Sequence, residues 1–155
     1  MTVAVGKKMP AFSAAITGSD VKWKLADAAG EKLVIYFYPK DMTGGCTRQS
    51  QDFRDLHSAF RKAGVDIIGV SRDSVKSHDK FVEKEKLPFP LLSDADEKLC
   101  KQFDVIQEKS LYGKKYMGIE RSTFLLDGTG ILRREWRKVK VPGHAEEVLE
   151  AAKSV

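Results

Sequence analysis

The chain has 155 residues, of which 42% are hydrophobic and 32% charged, and its formal net charge is +5. This length predicts a single domain, residues 1–155, and no apolar run approaches the roughly 18 residues that a membrane span requires. The basic residues are scattered among acidic ones, as in 83–86, which disfavours nucleic-acid binding and leaves only a general attraction to acidic partners.

The first predicted elements, in chain order, are a hairpin and a strand–helix–strand unit. Residues 12–23 predict an N-terminal β-hairpin with its turn at 17–20. The unbroken apolar run 33–38 is typical of a strand that is covered on both faces of a sheet. From Thr47 the apolar residues are spaced for a helix, and the apolar run 65–70 then completes a βαβ unit.

The second half of the chain continues this alternation of helices and strands. Asp73 and Ser74 cap a predicted helix, which 88–90 ends with two prolines. The chain then leads through the apolar pair 91–92 to a short helix around Cys100, which Ser93 and Asp94 can cap. Strands are predicted at 123–126 and 131–132 around a turn at 127–130, followed by a charged outer edge at 133–138 and a last helix opened by Pro142.

Cys46 lies where the strand at 33–38 gives way to the helix, directly after a turn made by Gly44 and Gly45. At a helix N-terminus, unpaired backbone N–H groups and the positive end of the helix dipole favour an anion. Such a position is known to lower the pKa of a cysteine below its free value of about 8.5. Because the thiolate is the reactive form, the position predicts that Cys46 is a nucleophile.

The residues around Cys46 form the pattern Pro39-x-x-x-Thr43-x-x-Cys46. Through this pattern the chain resembles the peroxiredoxins, which are thiol peroxidases of the thioredoxin fold. The stretch 112–124 is similar to the bacterioferritin-comigratory, or Q-type, subfamily, and the resemblance extends from 9–12 to the last helix. It implies an α/β, thioredoxin-like fold, with a central mixed β-sheet flanked by helices and an N-terminal β-hairpin extension.

Peroxide reduction by a thiolate needs an ionised sulfur, donors for the developing negative oxygen and exclusion of water. Cys46 supplies the sulfur, and we expect the Thr43 hydroxyl to donate to it and to orient the peroxide. The backbone N–H groups of Gly45 and Cys46 are expected to bind the oxygen under attack. Pro39, which has no N–H donor, is expected to shield the pocket. The resemblance implies that Arg121 is the fixed cation that favours the thiolate.

The sequence departs from the family pattern at three places. The usual Thr-Pro-Gly-Cys has Gly44 in place of proline, which predicts a more mobile loop and easier local unfolding of the first helical turn. Many relatives carry a resolving cysteine five residues after the peroxidatic one, where this chain has Gln51. Others carry it on the next helix, where residues 81–83 include no cysteine.

Cys100 is the only other cysteine of the chain. We interpret it as a semi-buried structural thiol beside the apolar stripe of its short helix. A disulfide needs Cα atoms within about 7 Å, and nothing in the sequence shows that Cys46 and Cys100 can meet. The prediction is therefore a one-cysteine mechanism, with thioredoxin, glutaredoxin with glutathione, or another small thiol as the external reductant. The alternative is a Cys46–Cys100 disulfide that forms after local unfolding and is reduced by thioredoxin.

The sequence thus predicts an enzyme, a peroxidase for hydrogen peroxide and small organic hydroperoxides that serves antioxidant defence. The alternative is an interaction protein, a peroxide sensor or holdase in which oxidation of Cys46 signals to a partner. Both need a fast-reacting thiolate, and repeated turnover distinguishes them. The absence of long low-complexity segments favours the enzyme. The resemblance implies a monomer or a weak dimer.

No cofactor or metal is expected, because His57, His78 and His144 lie on different predicted elements without metal-ligand spacing to either cysteine. His57 is placed on the Cys46 helix and is expected to be solvated. Residues 1–8 lack the charged-then-apolar order of a signal peptide, and two cysteines without a short pairing pattern argue for a reducing compartment. These features predict a cytoplasmic protein with no membrane partner.

Overall fold

The computed structural model describes residues 3–155, and it shows nine strands and five helices in that range. The strands are β1 Ser13–Ile16, β2 Trp23–Lys24, β3 Lys32–Phe37, β4 Val65–Ser71, β5 Leu91–Ser93, β6 Ile106–Leu111, β7 Lys114–Ile119, β8 Ser122–Leu126 and β9 Leu132–Trp136. The helices are α1 Gly44–Asp55, α2 His57–Lys62, α3 Val75–Glu85, α4 Lys98–Gln102 and α5 His144–Lys153, with a 3₁₀ turn at Leu25–Ala28. Within residues 3–155, no helix is long and apolar enough to cross a bilayer.

Seven strands form one mixed sheet in the order β2-β1-β5-β4-β3-β8-β9. The central strands β3, β4 and β5 are parallel, and the outer pairings are antiparallel. The βαβ unit, the N-terminal hairpin and the hairpin at 127–130 are confirmed. The charged segment predicted as an outer edge includes most of β9, which is indeed an edge strand.

The sheet separates two hydrophobic clusters, because successive residues of a strand point to opposite faces. On the face that packs against α4, the buried residues include Leu33, Ile35, Phe37 and Cys100. On the face that packs against the other four helices, they include Val34, Tyr36, Tyr38 and Cys46. The two thiols of the chain therefore lie on opposite faces of the sheet.

Three helix boundaries differ from the predictions. Helix α1 begins at Gly44 and not at Thr47, because its first turn is made of small and polar residues that apolar spacing does not register. His57, predicted on the same helix as Cys46, begins the separate helix α2 and is half-buried beside Phe89. The last helix begins at His144, since Gly143 takes a left-handed φ of +76° and keeps Pro142 outside it.

Strands β6 and β7 form a separate two-stranded sheet, which we call the hairpin arm and which the sequence analysis did not predict. Most of its residues are exposed, so the alternation of apolar and polar residues that marks a half-buried strand is absent. The arm leads directly into Glu120 and Arg121, and its position therefore bears on the predicted site.

His144 is a buried base at the start of α5. Its Nε2 lies 2.8 Å from Thr123 Oγ1, and its ring packs edge-on against Phe53 and Trp136. The pKa of His144 falls from 6.5 to about 4, mainly because of burial; the charge of Arg121 also lowers it, whereas the charges of Glu147 and Glu146 raise it. The folded protein thus binds a proton here less readily than the unfolded chain does.

We expect His144 to make the fold acid-sensitive. Because its folded pKa is depressed, its contribution to stability is complete above pH 6.5 and is lost as the pH falls towards 4. The loss amounts to about 3 kcal/mol of unfolding free energy over that range. In the His144→Gln variant, whose amide can still bond to Thr123, urea unfolding across this pH range should show a correspondingly smaller decline. Equal declines in the two proteins would contradict the assignment.

Candidate active site

The sulfur of Cys46 is buried in the first turn of α1. The residue is 1% exposed, although Gly44 and Gly45 beside it are exposed. The first backbone hydrogen bond of the helix runs from Thr47 N to Thr43 O at 2.8 Å, so the N–H groups of 44–46 precede the helical ladder. These N–H groups and the positive end of the helix favour a negative charge at the sulfur.

Arg121 brings a fixed cation to this sulfur from the junction of β7 and β8. Its Nη2 lies 3.5 Å from Cys46 Sγ, and its Nη1 donates to Gln49 Oε1 at 2.6 Å. The close approach depends on Gly45, because a Cβ at that position would lie only 3.1 Å from Nη2. The start of α1 and the end of the hairpin arm therefore form the site together.

Gln49 was not predicted as a site residue. It lies three residues after Cys46, on the same face of α1, and is buried. Its Oε1 accepts from Arg121, whereas its Nε2 has no hydrogen-bond partner among residues 3–155. A polar residue one turn after a nucleophile was the available sequence signal, but only the position of Arg121 gives it a role.

Thr43 and Pro39 flank the site in the loop before α1. The Thr43 hydroxyl donates to the carbonyl oxygen of Lys40 at 2.9 Å. This hydrogen bond uses the only proton of the Thr43 hydroxyl and stabilises the loop. The expectation that the hydroxyl donates to Cys46 is therefore wrong for this structure. Pro39 is half-buried at the start of the same loop, directly after the buried Tyr38.

A buried polar cluster fastens this loop to the rest of the fold through Asp41. The Asp41 carboxylate accepts from the hydroxyls of Tyr38 and Ser77 at 2.5 and 2.8 Å, and it lies 2.7 Å from Nδ1 of His78. Burial opposes ionisation, but these hydrogen bonds outweigh it and hold the pKa of Asp41 below its usual value. The loop is therefore tied to α3 by charge-assisted bonds.

Asp41, Asp73 and His78 also place three possible metal-ligating atoms within 4.8 Å of one another. Nδ1 of His78 faces Asp41, and its Nε2 lies 2.9 Å from the Leu92 carbonyl oxygen. Asp73 accepts from the Asp41 backbone N–H and from the Ser71 hydroxyl. A metal ion could bind here only by displacing these hydrogen bonds. We therefore interpret the cluster as a structural one that stabilises the loop.

Cys100 lies on the opposite face of the sheet and is fully buried, not semi-buried as predicted. The Asp94 carboxylate accepts from the backbone N–H groups of Leu99 and Cys100 at 3.0 and 2.7 Å, which confirms the predicted cap. Burial raises the pKa of the Cys100 thiol, and the neighbouring Asp94 raises it further. Cys100 is therefore held as an unreactive thiol.

Lys109 of the hairpin arm is a second cation near the site and was not predicted. Its side chain is half-buried, with Cδ 3.3 Å from the point where a Cβ of Gly118 would lie. Burial lowers the pKa of Lys109, and the charge of Arg121 adds to this, whereas Cys46 and Glu120 act in the opposite sense. Its proximity depends on how the hairpin arm folds back, which spacing along the sequence does not reveal.

Gly44, where the family usually has proline, is the first residue of α1. Thr43 has the extended conformation that a following proline requires, with φ −95° and ψ 158°, and a Cβ at Gly44 would meet nothing within 4 Å. We expect Gly44→Pro to raise the free energy of unfolding by about 0.5–1 kcal/mol, because it restricts the unfolded chain at a position that favours proline. Chemical denaturation measures this.

The matched control is Gly45→Ala at the next position. Its methyl group would press on the Arg121 guanidinium, so this variant should lose stability or activity where Gly44→Pro does not. A destabilised Gly44→Pro protein would show that the N–H of Gly44 is needed in the native state.

The geometry at Cys46 is that of a cysteine peroxidase on a thioredoxin-like sheet, and comparison with known proteins agrees with this class. The sequence profile of the AhpC/TSA family matches residues 5–135. The chain therefore belongs to the AhpC/TSA family, as a peroxiredoxin of the Bcp or Q type. It is an enzyme, a thiol peroxidase, as the sequence predicted.

Relatives match nearly the whole chain. Peroxiredoxin Bcp of Bacillus subtilis (strain 168) is 50% identical over 155 residues, which cover 100% of this chain and 98% of the relative. The crystal structure of a cysteine-to-serine mutant of PrxQ from Xylella fastidiosa has a TM-score of 0.93 at 44% identity, with 99% and 98% of the two chains covered. A structure of the Xanthomonas campestris bacterioferritin comigratory protein, studied for its alkyl peroxide reduction activity, has a TM-score of 0.87 at 55% identity, with 92% and 90% covered.

Proposed function

We propose that this peroxiredoxin reduces hydrogen peroxide and small organic hydroperoxides by a one-cysteine mechanism. The Cys46 thiolate attacks one peroxide oxygen and becomes a sulfenic acid. The O–O bond breaks, and the other oxygen leaves as hydroxide or alkoxide and takes a proton to give water or an alcohol. The observation that carries the proposal is the 3.5 Å approach of Arg121 Nη2 to Cys46 Sγ at the start of α1. The alkyl peroxide reduction of the Xanthomonas relative supports organic hydroperoxides as substrates.

Each site residue has a distinct part in this reaction. Arg121 favours the thiolate and offers N–H donors to the oxygen that becomes negative as the O–O bond breaks. The backbone N–H groups of Gly45 and Cys46 are donors for the oxygen under attack. The Thr43 oxygen, whose proton is used by Lys40, is free to accept the hydrogen bond of the incoming peroxide. Pro39 limits access of water to the loop side of the pocket.

The one-cysteine mechanism is supported by the separation of the two thiols. Cys46 and Cys100 pack in different clusters on opposite faces of the sheet, so the two thiols do not meet in the native fold, and a disulfide between them would need α1 or α4 to unfold first. The alternative resolving position on α1 is occupied by Gln51, whose amide donates to Glu85 at 2.8 Å. A disulfide between Cys46 and Cys100 is therefore the less favoured route.

The Cys46 sulfenic acid then needs a thiol from outside the chain. We propose thioredoxin as this reductant, with glutaredoxin and glutathione as the alternative. We also propose a monomeric protein in the cytoplasm, where such thiols are kept reduced.

The test is the mass of the intact protein after one equivalent of hydrogen peroxide, with a sulfenic-acid trap and a thiol-blocking reagent present. The proposal expects a trap adduct on Cys46 and a free thiol at Cys100. A mass decrease of two hydrogens without an adduct would mean that Cys46 and Cys100 have joined, and it would transfer the resolving role to Cys100.

A further inference from the structure

Tyr112, at the tip of the hairpin arm, is held in a costly conformation and is almost entirely exposed. Its φ is +51° and it is 97% exposed. A positive φ costs a bulky residue about 1 kcal/mol or more, and two-residue hairpin turns normally place asparagine or glycine there. Because the Tyr112 ring is so exposed, its contacts within the chain do not offset the free-energy cost of this conformation.

Met42, in the loop just before Cys46, repeats the pattern. Its φ is +60° and it is 43% exposed. Residues 3–155 include six non-glycine residues with positive φ, and Met42 and Tyr112 are the only apolar or aromatic ones among them. Exposed apolar side chains on strained backbone are expected where a contact outside the chain offsets the strain.

One face of the hairpin arm extends from this tip. The register pairs Lys109 with Tyr116 and Leu111 with Lys114, so these four side chains lie on the same face. Leu111 is 57% exposed and Tyr116 is 47% exposed. We call these four residues and Tyr112 the docking face. It is apolar with two lysines and no carboxylate, since Glu108 lies on the other face beside Lys115.

The docking face adjoins the active site. Lys109 and Tyr116 both lie over Gly118, at 3.3 and 3.1 Å from the point where its Cβ would lie, and Lys109 is close enough to Arg121 and Cys46 to respond to their charges. Because Cys46 is only 1% exposed, a protein that delivers a thiol to it has to bind close to the start of α1, which the docking face adjoins.

We propose that the docking face binds the protein that reduces Cys46: a dithiol protein with an apolar contact surface rimmed by carboxylates. This rests on the proposed function, which requires an external thiol. One partner thiol attacks the Cys46 sulfenic acid, forming a mixed disulfide and releasing water. The second partner thiol then attacks the partner sulfur of that disulfide, which frees Cys46 as a thiol and leaves the partner oxidised to a disulfide.

The variant Tyr112→Asn separates docking from folding, because asparagine suits the left-handed turn. With thioredoxin and its reductase as the electron source, the thioredoxin concentration for half-maximal turnover should rise about tenfold, as loss of one aromatic anchor implies. Turnover driven by dithiothreitol should not change, and the midpoint of thermal unfolding should be equal or higher. Lys114→Glu should raise the same thioredoxin concentration, most strongly at low salt.

Val21→Asn and Lys22→Glu are the matched controls, since both replace exposed residues near the N-terminal hairpin and should leave thioredoxin-driven turnover unchanged. The docking proposal is overturned if Tyr112→Asn leaves the thioredoxin dependence unaltered, or if it slows the dithiothreitol reaction equally. It is also overturned if the wild-type protein is a dimer that this variant dissociates. Turnover with dithiothreitol but none with thioredoxin would remove the docking proposal and thioredoxin as the reductant, and it would leave the one-cysteine peroxidase mechanism standing. If the protein does not turn over with any thiol that is offered, the proposed function itself is wrong.

Discussion

Replacing Cys46 with serine is expected to abolish peroxide turnover, and replacing Cys100 with serine is expected to preserve most of it. Serine at Cys46 removes the only thiol beside Arg121, so the rate should fall on the order of 10⁴-fold or more, to the uncatalysed background. A serine at Cys100 is similar in size, lies on the far side of the sheet, and leaves the backbone hydrogen bond from residue 100 to Asp94 in place. Peroxide consumption with dithiothreitol as reductant measures both.

The Cys100 variant decides the mechanism. A single-turnover reaction with peroxide should give a sulfenic acid at Cys46 in the wild-type protein and in Cys100→Ser alike. If Cys100→Ser reacts once with peroxide but turns over with neither thioredoxin, glutaredoxin with glutathione, nor dithiothreitol, Cys100 is the resolving cysteine and the one-cysteine mechanism is wrong.

Replacing Arg121 with alanine is expected to slow the reaction of Cys46 with peroxide by about 100-fold or more. The guanidinium places a positive charge beside the sulfur and donates to the leaving oxygen, so the rate constant for oxidation of Cys46 should fall. Stopped-flow fluorescence measures this rate constant.

Arg121→Lys is the matched control. Lysine retains the positive charge but not the second N–H group that binds Gln49, so its oxidation rate should lie between those of the alanine variant and the wild-type protein. An alanine variant with an unchanged oxidation rate would remove Arg121 from the site. The folded state of each variant should be checked first, since a buried Gln49 without its partner destabilises the protein.

The position of Cys46 was predictable because the relevant signals are local. A buried run, two glycines and helical spacing define a strand–helix junction within about fifteen residues, and the helix dipole acts on whatever thiol stands there. Arg121 is 75 residues away in sequence. Nothing in its neighbourhood distinguishes it from the other basic residues, and only the family resemblance indicated it.

The rest of the site depends on long-range packing that the sequence pattern does not encode. Gln49 has a role only because Arg121 folds against it, and Lys109 only because the pairing of β6 with β7 places it over Gly118. The Thr43 hydroxyl donates to the Lys40 carbonyl oxygen because Asp41 and α3 hold the loop in that geometry. Local propensity does not predict this choice of acceptor.

Because the sheet separates the two thiols, each cysteine reports a different unfolding event of the native protein. Cys46 sits in the first turn of α1, so a frayed helix end is enough to expose it to an alkylating reagent. Cys100 lies on α4, inside the hydrophobic cluster on the other face of the sheet, and its backbone N–H is bonded to Asp94. Its alkylation therefore requires that this half of the core come apart. Each labelling rate in the reduced protein, divided by the rate of the same thiol in the unfolded chain, gives the free energy of the opening that exposes it, so the two thiols together report the gap between local and subglobal unfolding.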